Sequence, residues 1–590
     1  MVRESPPLPE RDDSPPPLRH GKGNGNLQWR DPSLKEVIDY LDNPDREKQL
    51  NASGYLQHLT FSDNLIKDET REYGGIPKLV QLLKSDMPVI QKNACACLKN
   101  LCFGKENDRN KLAILDADGV RMLAAVLHST YDAAVKEEAT AALWNLSSAD
   151  MLKPVILDAA TDSLVQEVVA ATPAYQPNGV SNDTDPLRPY STATFKNATG
   201  VLRNISAANA AARKRLRACP NLIEGLVHFL TVAIQRNQVD SQSVENVVCL
   251  LRNLSYRIQE VEDPNYDPAT AHMLSTKGGK SAPSSPKPKK DKDKKREHAK
   301  EVAVGPAVLW QPYVVKLYLK LLQEASNLDT LENLAACQFA PSAEVRAAVR
   351  VEKGLPVLVE LIRLKEDYVV CAVATALRNL ALDPRNRELI GKYALRDLIE
   401  KLPDAGARRP PVSDQTIGAV LGILFEVVRS SSAFTRDVHE ARGTEKLRAL
   451  ARSYPTYSHR VCKYATQVLF MMWQHKELHD GFKRSGLKEA DFYSGTARGD
   501  SATLARPISS QGRERPAQAL LDDTMSSGYG AVSDSQQRRP QPPQYQQQQQ
   551  ASTPPAQNGQ TRNDRGAVRE PLYASVRKGN QARGMDDSWV

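Results

Sequence analysis

The chain of 590 residues has no apolar run near the roughly 18 residues that a membrane-spanning helix needs, and it does not open on a charged-then-apolar signal segment. Aromatic residues are scarce, at 6%. Strand-like alternation is also scarce, while Leu and Ala abound, so the sequence leans helical. The few cysteines are Cys95, Cys97, Cys102, Cys219, Cys249, Cys337, Cys371 and Cys462, and most lie in Leu/Ala-rich stretches. The closest three lack a nearby His or a second pair at zinc-like spacing, so they read as buried thiols, and the expected compartment is reducing, cytoplasm or nucleus. Catalytic constellations are missing too. No spaced Ser/His/Asp, Cys/His or paired-carboxylate set stands out among ten scattered histidines, and "GKGNG" near the start is not placed between a strand and a helix. The expectation is a non-enzyme with no cofactor and no metal. The net charge of +9 is mild for the length and hints at an acidic partner, without calling for nucleic acid.

What the chain does have is one short apolar frame with an amide in it, used six times. "CLKNLC" holds Asn100, "ALWNLS" Asn145, "VLRNIS" Asn204, "LLRNLS" Asn253, "TLENLA" Asn333 and "ALRNLA" Asn379. The frame continues with other residues in the amide slot: His58 in "YLQHLT", Glu426 in "ILFEVV" and Met471 in "VLFMMW". The base period is about 42 to 47 residues, the signature of stacked two- or three-helix units. Gly and Pro open the shorter apolar helix of several units, as at Gly75-Ile76-Pro77 and Gly354-Leu355-Pro356. The predicted fold is an all-α, armadillo-repeat right-handed superhelical solenoid of about nine repeats.

In such a stack the third helices line one face. Helices pack roughly 8 to 10 Å apart and an extended peptide rises about 3.3 Å per residue, so one amide meets a bound backbone about every third residue. Asn both donates and accepts, so it grips a peptide bond whatever the side chain. The alternative is that the amides serve neighbouring loop carbonyls within the stack, and the two roles can coexist. Residues one turn before each Asn are Ala96, Ala141, Gly200, Cys249, Asp329 and Thr375. Without a Trp there, a basic import signal is a poor ligand. Flanking cations, Lys67, Lys99, Lys111, Arg203 and Arg252, suit an acidic extended peptide instead.

"WRDPSLKEVIDYL", "NASGYLQHLTFSDNLIKDETREYGGIPKLV", "LKNLCFGKENDRNKLAI", "VENVVCLLRNLSYR" and "LRNLALDPRNRELIGKYALRDLIEKLP" resemble the delta-catenin subfamily of armadillo proteins, over about Leu27 to Ser494. That resemblance implies nine repeats and a basic groove over the first five. The groove would hold the acidic juxtamembrane segment of a cadherin tail. Carried over by local motif, it comprises Trp29, His58, Lys67, Asn100, Lys111, Trp144 and Asn145, with Asn204 and Asn253 continuing the ladder. Trp29 and Trp144 would clamp apolar side chains, and the two lysines would pair with acidic ones. The resemblance further implies an adaptor at adherens junctions, peripheral to the plasma membrane, with links to Rho-family GTPases and the cytoskeleton. A nuclear or transcriptional adaptor and a desmosomal plaque protein are the alternatives. The long N-terminal region of many members is expected to be absent.

Residues 1–28 and 496–590 are expected to be disordered, being rich in Pro, Gly, Gln and charge. The repeat region, 29–495, carries loop insertions at 173–190 and 260–306. The second insertion contains Lys287, Lys289, Lys290, Lys292, Lys294, Lys295 and Arg296, a basic tract suited to anionic lipid, an acidic GTPase surface or import. The chain ends in Ser588, Trp589 and Val590, a terminus that a PDZ-domain protein would take as an added strand. One repeat is irregular. From the last Leu or Ile of the preceding helix to the ladder Asn is 17 residues for Leu83 to Asn100 and for Ile362 to Asn379, but 11 for Leu322 to Asn333. The third helix of the sixth repeat is therefore predicted to be short and to form the weak joint of the stack.

Overall fold

The computed structural model describes residues 31–170, 187–256, 258, 303–337, 343–404 and 412–493. Trp29, the basic tract, the tails and the PDZ-type terminus lie outside the described residues. Among the described residues there are helices and turns and no strand. Nine helices of the described residues carry the apolar frame. Five lie in a first compact unit, Arg46–Leu59, Pro88–Leu101, Ala133–Leu146, Ala193–Ser206 and Gln242–Ser255. Four lie in a second unit, Leu328–Ala336, Asp367–Leu380, Asp414–Ser430 and His459–Trp473. The division between the units falls between Leu321 and Leu322, inside the helix Pro312–Glu324 of the sixth repeat. The fold is the predicted armadillo-repeat solenoid. No helix of the described residues is long and apolar enough to cross a membrane.

The local code is legible in each frame helix. In most of them a side-chain oxygen caps the start: Asp132 accepts from Ala134 and Val135, Thr192 from Phe195 and Ser241 from Val244. Such a cap satisfies amides that have no partner inside the helix. Pro88 opens its helix at the first position, where a missing N–H costs nothing. In Gln242–Ser255, Val244, Val247, Val248, Leu250, Leu251 and Leu254 are all buried, an apolar band wide enough to pack against neighbours on both sides.

The corner between first and second helix recurs in five repeats. One residue turns left-handed, Gly74 (φ 72°), Asp118 (61°), Asn221 (61°), Lys353 (56°) and Arg442 (64°). In four of these corners a Gly follows. A Cβ at Gly75 would lie 2.8 Å from the Thr70 side chain, one at Gly119 2.6 Å from Ile114, and one at Gly443 2.6 Å from Val438. The second helix thus starts in contact with the end of the first, and only hydrogen fits between them.

Two repeats depart from three helices: Lys153–Ala170 and Pro384–Glu400 are single helices of 18 and 17 residues that merge the first two. The first insertion ends earlier than the sequence suggests. Arg188–Tyr190 forms a 3₁₀ turn with Tyr190 buried against Phe195 and Phe229. The second insertion likewise gives way to a 3₁₀ helix, Gly305–Trp310, with Val308 and Leu309 buried. In the sixth repeat the frame helix has 9 residues against 14 in each of the five before it. It starts late, under an Asn327 cap.

Candidate functional site

The ladder asparagines of the first unit tie each third helix to the one before. Asn100 Nδ2 donates to the Gln57 carbonyl at 3.1 Å and Asn145 Nδ2 to the Lys99 carbonyl at 3.0 Å. Asn204 Nδ2 donates to Ser147 Oγ at 2.8 Å and Asn253 Nδ2 to Ser206 Oγ at 2.9 Å. These acceptors sit at third-helix C-termini, where orphan carbonyls and hydroxyls collect. Each of the four amides uses one proton this way. Among the described residues their side-chain carbonyls accept nothing, so an acceptor and a second donor remain for a ligand. Structural and binding roles therefore coexist in the same side chain. In the second unit Asn333 donates to the Asp329 carbonyl of its own helix, and the Asn379 side-chain carbonyl oxygen is buried without a hydrogen bond among the described residues.

A second amide row, not singled out from the sequence, lies two turns earlier. Asn93 donates to Ser53 Oγ at 3.2 Å, Asn197 to the Glu137 carbonyl at 3.2 Å and Asn246 to the Lys196 carbonyl at 3.1 Å. Its signal was present as the seven-residue spacing Asn93–Asn100, Asn197–Asn204 and Asn246–Asn253. These amides are buried and serve the stack alone.

The structure gathers three of the predicted cations at the C-terminal end of helix Pro88–Leu101. Lys67, Lys99 and Lys111 all act on the Cys102 thiol there, although burial dominates and pushes that thiol up to about 12. A helix C-terminus carries partial negative charge and favours such company. The three are not equivalent. Lys99 pairs with Glu138 at 2.7 Å and Lys111 with Asp108 at 2.8 Å. Lys67 is 2% exposed and forms no hydrogen bond or ion pair among the described residues. Its ammonium stands 5.9 Å from the Phe103 ring. Burial pushes its pKa down, opposed by the Glu106 carboxylate, the Cys102 thiol and the Asp63 carboxylate. Further along, Lys136 pairs with Glu167 and Arg203 with Glu245. Of the expected row, Lys99 and Arg203 are thus held between repeats and Lys111 within its own helix, while Lys67 has no such partner among the described residues.

Trp144 lies across the next third helix. A Cβ at Gly200 would fall 2.4 Å from the indole Cε2 and 2.7 Å from Nε1, so Gly200 is the seat of the ring. Trp144 is only partly buried, and His58 is exposed at the first rung. His58, Asn100, Asn145, Asn204 and Asn253 occupy equivalent positions on five successive helices of one unit.

The Armadillo/beta-catenin-like repeat family matches residues 63–103 and 107–148. Juxtamembrane domain-associated catenin of Caenorhabditis elegans is 68% identical, over 100% of this chain and 47% of that protein. Human catenin delta-2 is 41% identical over 83% of this chain and 41% of its own length. Splicing regulator ARVCF of Rattus norvegicus is 40% identical over 81% of this chain and 52% of its own. The chain spans about half the length of the relatives it matches. A crystal structure of an engineered protein matches with a TM-score of 0.57 at 19% identity, covering 83% of this chain and 98% of that one, a likeness of fold alone. With its frame helices, its corner glycines and these identities, the chain belongs to the delta-catenin subfamily of armadillo-repeat proteins.

Proposed function

We propose that the chain is a non-enzymatic adaptor of cell–cell adhesion whose first unit holds the acidic juxtamembrane segment of a cadherin tail. The observation that carries this reading is Lys67. A buried cation without an ion-pair partner is costly to keep, and Lys67 stands by the Phe103 ring, just past the end of the helix that carries Asn100. A ligand carboxylate supplies the missing charge. The rung amides of Asn100, Asn145, Asn204 and Asn253 take the ligand backbone with their remaining donor and acceptor, and Trp144 covers an apolar side chain. Lys111, already held by Asp108, adds a second positive charge when that pair opens.

The name of the relative juxtamembrane domain-associated catenin supports the choice of segment. The same reading puts the protein in the cytoplasm at adherens junctions, with the Val590 carboxylate bound by a PDZ-domain protein and the Lys287–Lys300 tract on an anionic surface. Regulation of Rho-family GTPases belongs to the reading only through the family. A second, nuclear reading draws on the name of another relative, a splicing regulator.

Titrating the full chain with an Asp/Glu-rich cadherin juxtamembrane peptide tests the proposal. The peptide is expected to bind, to weaken with added salt, and to lose most affinity in the double variant Lys67→Met, Lys111→Met. Equal affinity of wild type and variant would overturn it.

A further inference from the structure

The turn that leaves the third helix is built alike in the first two repeats. The Phe61 N–H donates to the His58 carbonyl and the Phe103 N–H to the Asn100 carbonyl, both at 3.3 Å, so each phenylalanine stands three residues past its rung. The two turns adjoin. Asn107 Nδ2 donates to the Phe103 carbonyl at 2.7 Å and to Asn64 Oδ1 at 3.2 Å, which ties the second turn to the start of Asn64–Glu72, next to Leu65. Phe61 is 71% exposed, Leu65 66% and Phe103 43%. One exposed apolar residue is ordinary, but three large ones on adjoining turns make a patch. The patch ends with the second repeat. The residues three past Asn145, Asn204 and Asn253 are Ser148, Ala207 and Tyr256, and Tyr256 is half-buried with the Arg213 guanidinium 5.3 Å from its ring.

The Lys67 ammonium stands at this patch, 5.9 Å from the centre of the Phe103 ring. That is the outer limit of a cation–π contact, about 6 Å. Lys111, the matching lysine of the next repeat, has Ser148 where Lys67 has Phe103, and it takes a carboxylate from Asp108 instead. The second repeat thus joins an ammonium without an ion-pair partner among the described residues to an exposed aromatic ring. The ammonium asks for a carboxylate and the ring for an apolar cover. One extended segment can bring both, because its side chains at i and i+2 point the same way, about 6.6 Å apart. The spacing from ammonium to ring is close to that step.

We propose that Phe103, with Phe61 and Leu65 on the adjoining turn, is an apolar subsite of the first-unit groove. Its ligand is an extended acidic segment with a large aliphatic or aromatic residue two positions from the carboxylate that pairs with Lys67. This inference rests on the acidic-segment reading above and adds a sequence requirement to it: acidic residue, any residue, apolar residue, in either direction. The carboxylate meets the ammonium while the apolar side chain covers the open side of the Phe103 ring. Covering the ring also withdraws water from the new ion pair, so the two contacts strengthen each other.

The full chain is titrated by fluorescence polarisation with peptides in which Glu and Ser alternate, so that all carboxylates share one face. In one pair of peptides a Glu is replaced by Leu or by Ser; in a second pair a Ser is replaced by Leu or left unchanged. Leu in the Glu phase lies two residues from a carboxylate and should bind about tenfold more tightly than its Ser control, as partial burial of one large apolar side chain allows. Leu in the Ser phase points away and should bind as its control does. Phe103→Ser, and the double variant Phe61→Ser, Leu65→Ser at exposed positions, should each erase or sharply reduce that preference, with unchanged circular dichroism. Lys67→Met should weaken every peptide. No preference for Leu in the wild type, an equal preference in both phases, or a full preference in the folded variants would overturn the subsite. In those cases a retained effect of Lys67→Met leaves the acidic-groove reading standing. Absence of binding by all of these peptides would remove that reading and the subsite with it.

Discussion

Replacing Lys67 by Met is expected to move stability and ligand affinity in opposite directions. Leaving a buried charged donor unsatisfied costs on the order of 1–3 kcal/mol or more, while its contact with the Phe103 ring offsets about 0.5–1 kcal/mol. Met fills a similar volume without charge, so the free variant should be more stable at pH 7 by on the order of 1 kcal/mol. Binding should change the other way. A ligand carboxylate that has lost its partner costs about 2–5 kcal/mol, a drop in affinity of roughly thirtyfold or more. The pH dependence follows from the lowered pKa of Lys67. Between that lowered value and the ordinary 10.5, the folded chain binds fewer protons at this site than the unfolded chain. Wild-type stability from Lys67 therefore rises with pH across that window, and the advantage of the variant fades there. Hydrogen exchange of amides in Asn64–Glu72 and Pro88–Leu101 reports the local stability, and calorimetric titration of the acidic peptide reports affinity. A variant that is less stable at pH 7, or one that stays folded and binds as wild type, would refute the reasoning.

Gly200→Ala trades about 1 kcal/mol of helix propensity against an indole 2.4 Å away, and overpacking of that kind costs about 1–3 kcal/mol. The net should be loss of stability or displacement of Trp144, seen as a red-shifted emission. Gly418→Ala, where a Cβ meets nothing within 4 Å, should instead stabilise its helix by about 0.5–1 kcal/mol, measurable as slowed exchange. In the sixth repeat, amides from Leu328 to Cys337 should exchange faster than those from Val370 to Leu380, because a helix of 9 residues covers less of its neighbours than one of 14. Equal protection would remove the weak joint. Appending one Gly after Val590 should abolish capture by PDZ domains in an array, and persistence of binding would refute the terminal-carboxylate account.

The repeat was legible because stacking forces the same apolar frame to return at a near-constant interval, and the short sixth helix was legible as simple subtraction from Leu322 to Asn333. The partners were not. Asn145 reaches the Lys99 carbonyl 46 residues back and Lys99 reaches Glu138 39 residues on. Such pairs depend on the rotation of one helix against the next, which periodicity does not encode. This is why Lys99 and Arg203 read from sequence as ligand-ready cations and prove to be held within the stack. Lys67 and Lys111 stand at matching places in their repeats, yet Asp108 supplies Lys111 with a carboxylate three residues before it, while the matching place before Lys67 is Asn64. One acidic residue separates a satisfied lysine from an expectant one.

The left-handed corner between first and second helices divides its requirements between two neighbouring residues. The second position demands clearance, and any Cβ at Gly75, Gly119 or Gly443 would strike its own repeat. The first position demands only an uncommon backbone angle, which Asp118, Asn221, Lys353 and Arg442 adopt against their steric preference. For a residue with a Cβ that angle costs roughly 1–2 kcal/mol, and less for Asn or Asp. Each such corner is therefore an adjustable set-screw. Glycine at Lys353 or Arg442 would tighten a repeat without touching a rung, a core side chain or a charge pair between helices, so the rigidity of the stack can be tuned independently of what it binds.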